Sequence, residues 1–194
     1  MNRTGSLARK TGETDIFVSL DLDGEGVSQV DTGIGFFDHM LSAVAKHGLI
    51  DLTVRVQGDL AVDGHHTVED TGIVFGAALA QALGDKKGIR RVGSCFLPMD
   101  ESLAFCALDI SGRPYLAFDA AFPAEMCGGY ASELTEEFFR AVSVSSGITL
   151  HLKAEGRNTH HMIEALYKAF ARALRDAAAL DPRVKGVPST KDVL

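Results

Sequence analysis

The sequence predicts an α+β fold built from two copies of one strand-strand-helix-strand-helix unit, at about residues 13–88 and 101–180. Three observations predict it: two matching His-His-x-x-Glu motifs, collinear internal alignments, and the same order of apolar periodicities in each half. Each unit should form a small sheet with both helices on one face. Two units related by a pseudo-twofold would make one domain over 1–194, with a C-terminal tail at 181–194.

The internal repeat rests on three alignments in the same order along the chain. At an offset of 95, six of 15 residues are identical, including both histidines and the glutamate of the motif; at an offset of 98, five of 22 are identical. Chance similarity of amphipathic segments would match Leu and Ala, but it does not explain a matched His-His-x-x-Glu. The aligned segments are 65–79 over 160–174, 37–58 over 135–156, and 20–24 over 108–112.

The elements of the first unit follow from periodicity and from turn residues. Alternating apolar and polar side chains indicate strands, and Asp23-Gly24-Glu25-Gly26 is typical of the turn between the first two. The helical segments end near Gly48 and at Gly84, residues that stop helices. The predicted elements are strands at 16–22 and 27–30, a helix at 35–46, a strand at 52–56 and a helix at 67–83.

The second unit shows the same succession of patterns. Its helices again follow short alternating segments, and the last helix begins at the second His-His-x-x-Glu motif. The predicted elements are strands at 103–109 and 114–119, a helix at 133–145, a strand at 148–154 and a helix at 161–179.

Composition excludes several classes of protein. Hydrophobic residues make up 46% and charged residues 23%, which is typical of a globular chain and not of a disordered or fibrous one. The net charge of −7 has no basic block, which argues against a nucleic-acid partner. No apolar run is long enough for a membrane span, and residues 1–10 lack the apolar core of a signal peptide. Three cysteines without metal-ligand spacing indicate a reduced, cytoplasmic compartment.

The paired histidines predict a metal site. Residues four apart lie on one face of a helix, so His65 can share an ion with Glu69, and His160 with Glu164. The adjacent histidine of each pair points about 100° away and must serve a second ion. A lone histidine at a helix start is usually a cap or solvent-exposed, but two matched pairs with matched glutamates favour metal ligation.

The repeat supplies a fourth ligand for each of two ions. His39 aligns with Glu137 at the start of the first helix of each unit, with Glu136 as the alternative to Glu137 if that helix is shifted by one residue. Imidazole and carboxylate ligands without thiolate suit manganese, with iron and zinc as alternatives. His151, within a strand, is interpreted as structural, and His47 as either structural or functional. The predicted ligand sets are His39, His66, His160 and Glu164 for one ion, and His65, Glu69, Glu137 and His161 for the other.

Several motifs together resemble one family, the imidazoleglycerol-phosphate dehydratases, over essentially the whole chain. The resemblance implies a manganese-dependent enzyme with two ions per site, a duplicated fold of the ribosomal S5 domain 2 type, and a homo-oligomer of 24 subunits with active sites between subunits. One tail position departs from the family pattern, with Asp192 where Gly is usual. The motifs are 35–40 (GFFDHM), 65–70 (HHTVED), 87–91 (KGIRR), 98–101 (PMDE), 111–114 (SGRP), 158–164 (NTHHMIE) and 188–191 (PSTK).

The resemblance also implies a reaction. Family members remove water from D-erythro-imidazole-glycerol phosphate to give imidazole-acetol phosphate, a step of L-histidine biosynthesis, and a metal-bound imidazolate would make the carbon acid next to the ring reactive. A proton shuttle is also required. Glu13, just before the first predicted strand, is the candidate. Glu101 occupies the equivalent position in the second unit, but no corresponding role is expected for it.

The remaining predicted contacts, also implied by the resemblance, bind the substrate. Arginine forks and lysine ammonium groups suit phosphate oxygens. Lys168 lies four residues after Glu164, which also fits a simple salt bridge, and Arg91 is interpreted as a solvated neighbour or an inter-subunit contact. The phosphate candidates are Arg90, Arg113, Lys168, Ser189, Thr190 and Lys191. The contacts to the rest of the substrate are Glu13, His39, His47, His65, Glu69 and His160.

Two other classes remain open at this stage. A two-metal hydrolase would normally use bridging aspartates, and the predicted ligands are mostly histidines. A metal-storage or metal-sensing shell would not need the arginine and lysine candidates or the Ser-Thr-Lys tail.

Overall fold

Two four-stranded sheets with the same strand order enclose four helices. The computed structural model describes residues 3–191 and 193–194. The first sheet has the order β1-β2-β4-β3, in which β1, β2 and β4 pair antiparallel and β3 pairs parallel to β4. The elements of this half are β1 (Thr4–Lys10), β2 (Thr14–Asp21), β3 (Ser28–Asp31), α1 (Gly35–Gly48), β4 (Asp51–Gly58) and α2 (His65–Leu83).

The second half repeats this arrangement. Its sheet has the order β5-β6-β10-β7, with β7 parallel to β10 and the other pairs antiparallel. This equivalence confirms the predicted duplicated α+β fold. The elements are β5 (Val92–Met99), β6 (Ser102–Asp109), β7 (Tyr115–Ala120), a short hairpin of β8 (Met126–Cys127) and β9 (Tyr130–Ala131), α3 (Leu134–Ser146), β10 (Thr149–Glu155) and α4 (Thr159–Ala178).

The helices form a double layer between the sheets. α1 and α2 pack on the first sheet, α3 and α4 on the second, and across the middle α2 packs on α3 and α1 on α4. Glycines allow the close approach of α2 to α3: a Cβ at Gly72 would lie 2.8 Å from the Phe138 carbonyl oxygen, and one at Gly76 would lie 2.8 Å from that of Val142. This helix pairing brings residues of both repeats together.

Each four-stranded sheet has one more strand than the sequence predicted, and the short hairpin of β8 and β9 was not predicted either. All ten predicted elements are present within two residues of their expected bounds, but β1 and β5 precede them and were not expected. The first inward-facing residue of each of these two strands is a glycine, because a helix backbone packs directly against the strand at that point. A Cβ at Gly5 would meet the Ala78 carbonyl oxygen at 1.9 Å, and one at Gly93 would meet that of Ala173 at 2.1 Å. The offset of 88 between these glycines was the signal that could have identified both strands.

No helix of residues 3–191 and 193–194 combines the length and apolar character that crossing a membrane would require.

Candidate functional site

Three predicted metal ligands from the two repeats meet where α1 packs on α4. The Nε2 atoms of His39 and His160 lie 3.4 and 3.1 Å from Oε2 of Glu164. All three can place a ligand atom within 4.8 Å of the others, and within the described part of the chain this is the one group of three or more such residues. His39 comes from the first repeat and the other two from the second.

Local packing holds this group in place. The Glu164 side chain is buried at the helix interface, where it has only 8% exposure, and the ring of Phe36 packs edge-on against His160 at 5.0 Å. Burial alone would raise the pKa of Glu164, but Nζ of Lys168 lies 2.5 Å from Oε1 and the net pKa is lowered. Glu164 is therefore an ionised carboxylate, the form that binds a metal cation.

At the equivalent position of the other half, the predicted ligands His65, Glu69 and Glu137 do not form one close group. His65 Nε2 lies 3.5 Å from Oε2 of Glu69 at the start of α2. Glu137 lies on α3, the helix packed against α2, as His39 lies on the helix packed against α4. Its Oε2 atom is 3.6 Å from Nε of Arg140, and Glu136 contacts the same arginine at 2.5 Å. A cavity of about 640 Å³ adjoins His65 between the N-terminal ends of α1, α2 and α3.

The second histidine of each motif contacts a carboxylate through Nδ1. His66 Nδ1 lies 3.0 Å from Asp59, and His161 Nδ1 lies 2.9 Å from Glu101. These hydrogen bonds raise the pKa of both histidines. A carboxylate on Nδ1 fixes the tautomer and leaves Nε2 as the atom available to a metal. Asp59 and Glu101 therefore orient the two imidazole rings, and the sequence did not indicate these contacts.

In this single chain, the predicted ligand sets are only partly assembled. His66 is not part of the group formed by His39, His160 and Glu164. Its Nε2 atom faces Glu13 instead, at 3.7 Å from Oε1. His161 likewise lies beside Asp100 and Glu101.

Glu13 lies in the tight turn between β1 and β2. Its backbone N–H donates to the Thr11 hydroxyl at 3.1 Å, and its carbonyl accepts from Asp59 N–H at 3.1 Å. Its side chain is 56% exposed, and no hydrogen bond from the described residues reaches its carboxylate. The backbone of Glu13 is fixed while its carboxylate is free.

The two remaining histidines have different surroundings. Burial between α1 and α4 lowers the pKa of His47, and the cations Lys168 and Arg172 lower it further. His47 is therefore neutral near pH 7 and lies on the same helix as His39. His151 is exposed on β10, with its ring 6.2 Å from that of Tyr115.

The predicted phosphate contacts fall into two places. Lys168 lies beside Glu164, whereas Arg90, Arg113 and the tail lie near the other end of α4. Arg91 is not a solvated neighbour: it binds Asp109 through two hydrogen bonds of 2.7 and 3.0 Å and donates to the Pro188 carbonyl oxygen at 2.8 Å. Arg91 thus anchors the segment before Ser189, Thr190 and Lys191, whereas Arg90 is exposed.

The length of α4 separates these groups within one chain. His160 is at its first turn, whereas Arg91 N–H donates to the Ala177 carbonyl oxygen at its last turn. That spacing is roughly 26 Å at 1.5 Å per residue. The histidine group and the distal cations of one chain therefore cannot contact the same small molecule.

The fold and the site define a duplicated α+β protein with a histidine-carboxylate group of the kind that binds divalent metal ions. Comparison with known proteins identifies the family: residues 32–174 match the family model described as imidazoleglycerol-phosphate dehydratase. Two relatives with that name, from Symbiobacterium thermophilum and Acetivibrio thermocellus, are 65% and 60% identical over 99% and 100% of this chain, and over 93% and 100% of their own lengths. The chain belongs to the imidazoleglycerol-phosphate dehydratase family.

Solved structures of the family share this fold. The imidazoleglycerol-phosphate dehydratase of Staphylococcus aureus superposes with a TM-score of 0.83 at 41% identity, over 92% of this chain and 99% of that one. The Pyrococcus furiosus structure gives 0.83 at 34% identity, over 97% of this chain and all of that one.

Proposed function

We propose that this chain is a hydro-lyase that converts D-erythro-imidazole-glycerol phosphate into imidazole-acetol phosphate in histidine biosynthesis, in the cytoplasm. The observation that carries the proposal is the group of His39, His160 and Glu164, which joins the two repeats in a chain of the dehydratase family. The substrate is a small molecule, and neither nucleic acid nor membrane takes part.

The proposed cofactor is Mn²⁺, with two ions per active site. The residues fit such an ion, because imidazole nitrogens and carboxylate oxygens without thiolate match its preferences, and Glu164 is held ionised. When bound, the ions would withdraw electrons from the imidazole ring of the substrate and favour its imidazolate form. The proposed ligands are His39, His65, His66, Glu69, Glu137, His160, His161 and Glu164.

Glu13 is the proposed proton shuttle. Its carboxylate has no competing hydrogen bond among the described residues, so it is available to take the carbon-bound proton next to the ring and to return one to the leaving hydroxyl. Its equivalent in the second repeat, Glu101, accepts hydrogen bonds from His161, Ser102 and the backbone of Arg157 and Asn158. These bonds lower the pKa of Glu101 to about 2, which makes it a poor base near neutral pH.

Cationic and hydroxyl groups are proposed to hold the phosphate. Arg113 is well exposed, and its nearest carboxylate, Asp109, is already paired with Arg91. The Ser189 hydroxyl caps the N–H of Lys191 at 3.1 Å, which shapes the tail into a turn that can face an anion. The proposed phosphate contacts are Arg90, Arg113, Lys168, Ser189, Thr190 and Lys191.

The proposed active site is completed between copies of the chain in a 24-subunit shell. Support comes from the separation along α4, since the histidine group and the distal cations of one chain are too far apart to share a substrate. It also comes from His66 and His161, whose Nε2 atoms face away from the three-residue group. His39, His47, His65, Glu69 and His160 would line the ring-binding part of such a shared site.

The test is turnover by purified protein loaded with manganese. Imidazole-glycerol phosphate should be converted to the keto product, and activity should be lost on chelation. Release of inorganic phosphate instead would favour a two-metal hydrolase. Stoichiometric metal binding without either reaction would favour a storage or sensing shell.

A further inference from the structure

A buried carboxylate lies directly behind the turn that carries Glu13. Asp70, on α2, is 8% exposed. Its Oδ2 accepts a 2.6 Å hydrogen bond from the Thr14 hydroxyl, and its Oδ1 is 2.7 Å from Nη1 of Arg9 on β1. Thr14 N–H in turn donates to the Thr11 hydroxyl, the same group that binds Glu13 N–H. Asp70 therefore connects α2 and β1 to the turn on both sides of Glu13.

The second repeat shows that the fold does not need this network. At the offsets of 88 and 95, Arg9 corresponds to Leu97, Thr14 to Ser102 and Asp70 to Ala165. Ala165 is fully buried, and the equivalent helix and strands pack in the same topology without a carboxylate. Because an ion pair between a buried carboxylate and a guanidinium whose side chain is 36% exposed contributes little net stability, stability alone does not account for Asp70.

The two repeats direct the equivalent hydroxyl groups differently. The Ser102 hydroxyl donates to Oε1 of Glu101 at 2.9 Å and helps to fix that carboxylate. The Thr14 hydroxyl donates to Asp70 and so is not available to Glu13. The result is one glutamate held by its neighbours and one left free beside Nε2 of His66.

We propose that Asp70 is a positioning residue for Glu13: it holds the turn through Thr14 and Arg9 and diverts the Thr14 hydroxyl away from the Glu13 carboxylate. This inference rests on the proposed role of Glu13 as the proton shuttle. Asp70 itself does not touch the substrate.

The test replaces the network with the residues of the second repeat. The double variant R9L/D70A removes both charges of the ion pair together, and Leu97 and Ala165 show that these residues fit the same packing. In the manganese-loaded enzyme, kcat should fall roughly 10–10²-fold, the scale expected when a reacting group is misplaced by about 1 Å. KM, metal content and native mass should be unchanged. D70N keeps an acceptor for Thr14 and should recover most of kcat.

Combination with E13Q separates this inference from the proposed function. If Asp70 acts through Glu13, R9L/D70A should have no further effect on kcat in the E13Q background. An additional loss there, or an unchanged kcat in R9L/D70A alone, would overturn the positioning role and leave Glu13 as the shuttle. Normal turnover by E13Q would overturn both. If the double variant does not fold, T14V replaces it in the test. The same loss of kcat is expected, and an unchanged kcat would contradict the positioning role of Asp70.

Discussion

Glu13 and Glu101 occupy equivalent positions, one residue before β2 and β6, but within residues 3–191 and 193–194 only the carboxylate of Glu101 is hydrogen-bonded. The carboxylate of Glu101 is thus held by its neighbours, whereas that of Glu13 accepts no hydrogen bond from the described residues. This difference predicts that substitution of Glu13 lowers kcat, whereas substitution of Glu101 weakens manganese binding.

Glu13→Gln should lower kcat by roughly 10²–10⁴-fold, the usual contribution of general acid–base catalysis. Manganese content and native mass should be unchanged, because Glu13 makes no hydrogen bond through its carboxylate to the described residues. Steady-state kinetics together with metal analysis check this. A change confined to KM would show a binding role instead.

Glu101→Gln should weaken manganese binding by about 10–100-fold, the usual cost of losing a carboxylate that orients a ligand histidine. Glutamine cannot reproduce the charge-assisted bond to Nδ1 of His161. Titration with Mn²⁺ measures the effect, and saturating manganese should restore most of the turnover. Unaltered manganese affinity would contradict the orienting role.

His160→Ala should abolish metal binding at the proposed site on α4, because it removes one member of the group with His39 and Glu164. Manganese content measured after gel filtration should fall and turnover should be lost. His151→Ala is the matched control, since that histidine is exposed on β10 and lies outside the group. Full manganese content in His160→Ala would refute the assignment.

Gly5→Ala should destabilise the fold by about 1–3 kcal/mol, the cost of overpacking. The added Cβ would meet the Ala78 carbonyl oxygen at 1.9 Å, so β1 must move away from α2. Gly12→Ala is the control, because nothing lies within 4 Å of a Cβ there. Denaturant unfolding of both variants checks the difference, and equal midpoints would contradict the close packing of β1.

Asp51→Asn should reduce stability in a pH-dependent way. Hydrogen bonds from the backbone of Val27 and then of Glu25 lower the pKa of Asp51 in the folded state. A lowered folded-state pKa stabilises the protein above the unfolded-state pKa of about 3.9, and this contribution is lost as the pH falls through the folded-state value. The difference between wild type and variant should therefore be present at neutral pH and shrink in acid. Unfolding in the presence of chelator measures it, and a difference independent of pH would argue against the linkage.

Sequence patterns predicted the fold well where side chains repeat regularly. The ten predicted elements come from alternating strands and amphipathic helices, whose periods are set by backbone geometry. β1 and β5 were not predicted because their first inward-facing residues are Gly5 and Gly93. A glycine is required there by the close approach of a helix, but it adds nothing to a pattern of alternating apolar side chains.

The candidate site was predictable only in part. The spacing of His160 and Glu164 places both on one helix face, and the internal repeat adds His39. The hydrogen bonds of Asp59 to His66 and of Asp70 to Thr14 depend on contacts between distant segments, which have no local signature. The hydrogen bonds of Arg91 to Asp109 also join segments that are separated in the sequence, so no local pattern predicts them.

The most direct test of the account is co-expression of two inactive variants, His160→Ala and Arg113→Ala. These residues lie near opposite ends of α4, so a site completed between copies takes them from different chains. In a random mixed assembly, about one quarter of the sites would then carry neither substitution, and turnover should reach about that fraction of the wild-type value. Turnover no higher than that of either variant alone would contradict an active site shared between subunits.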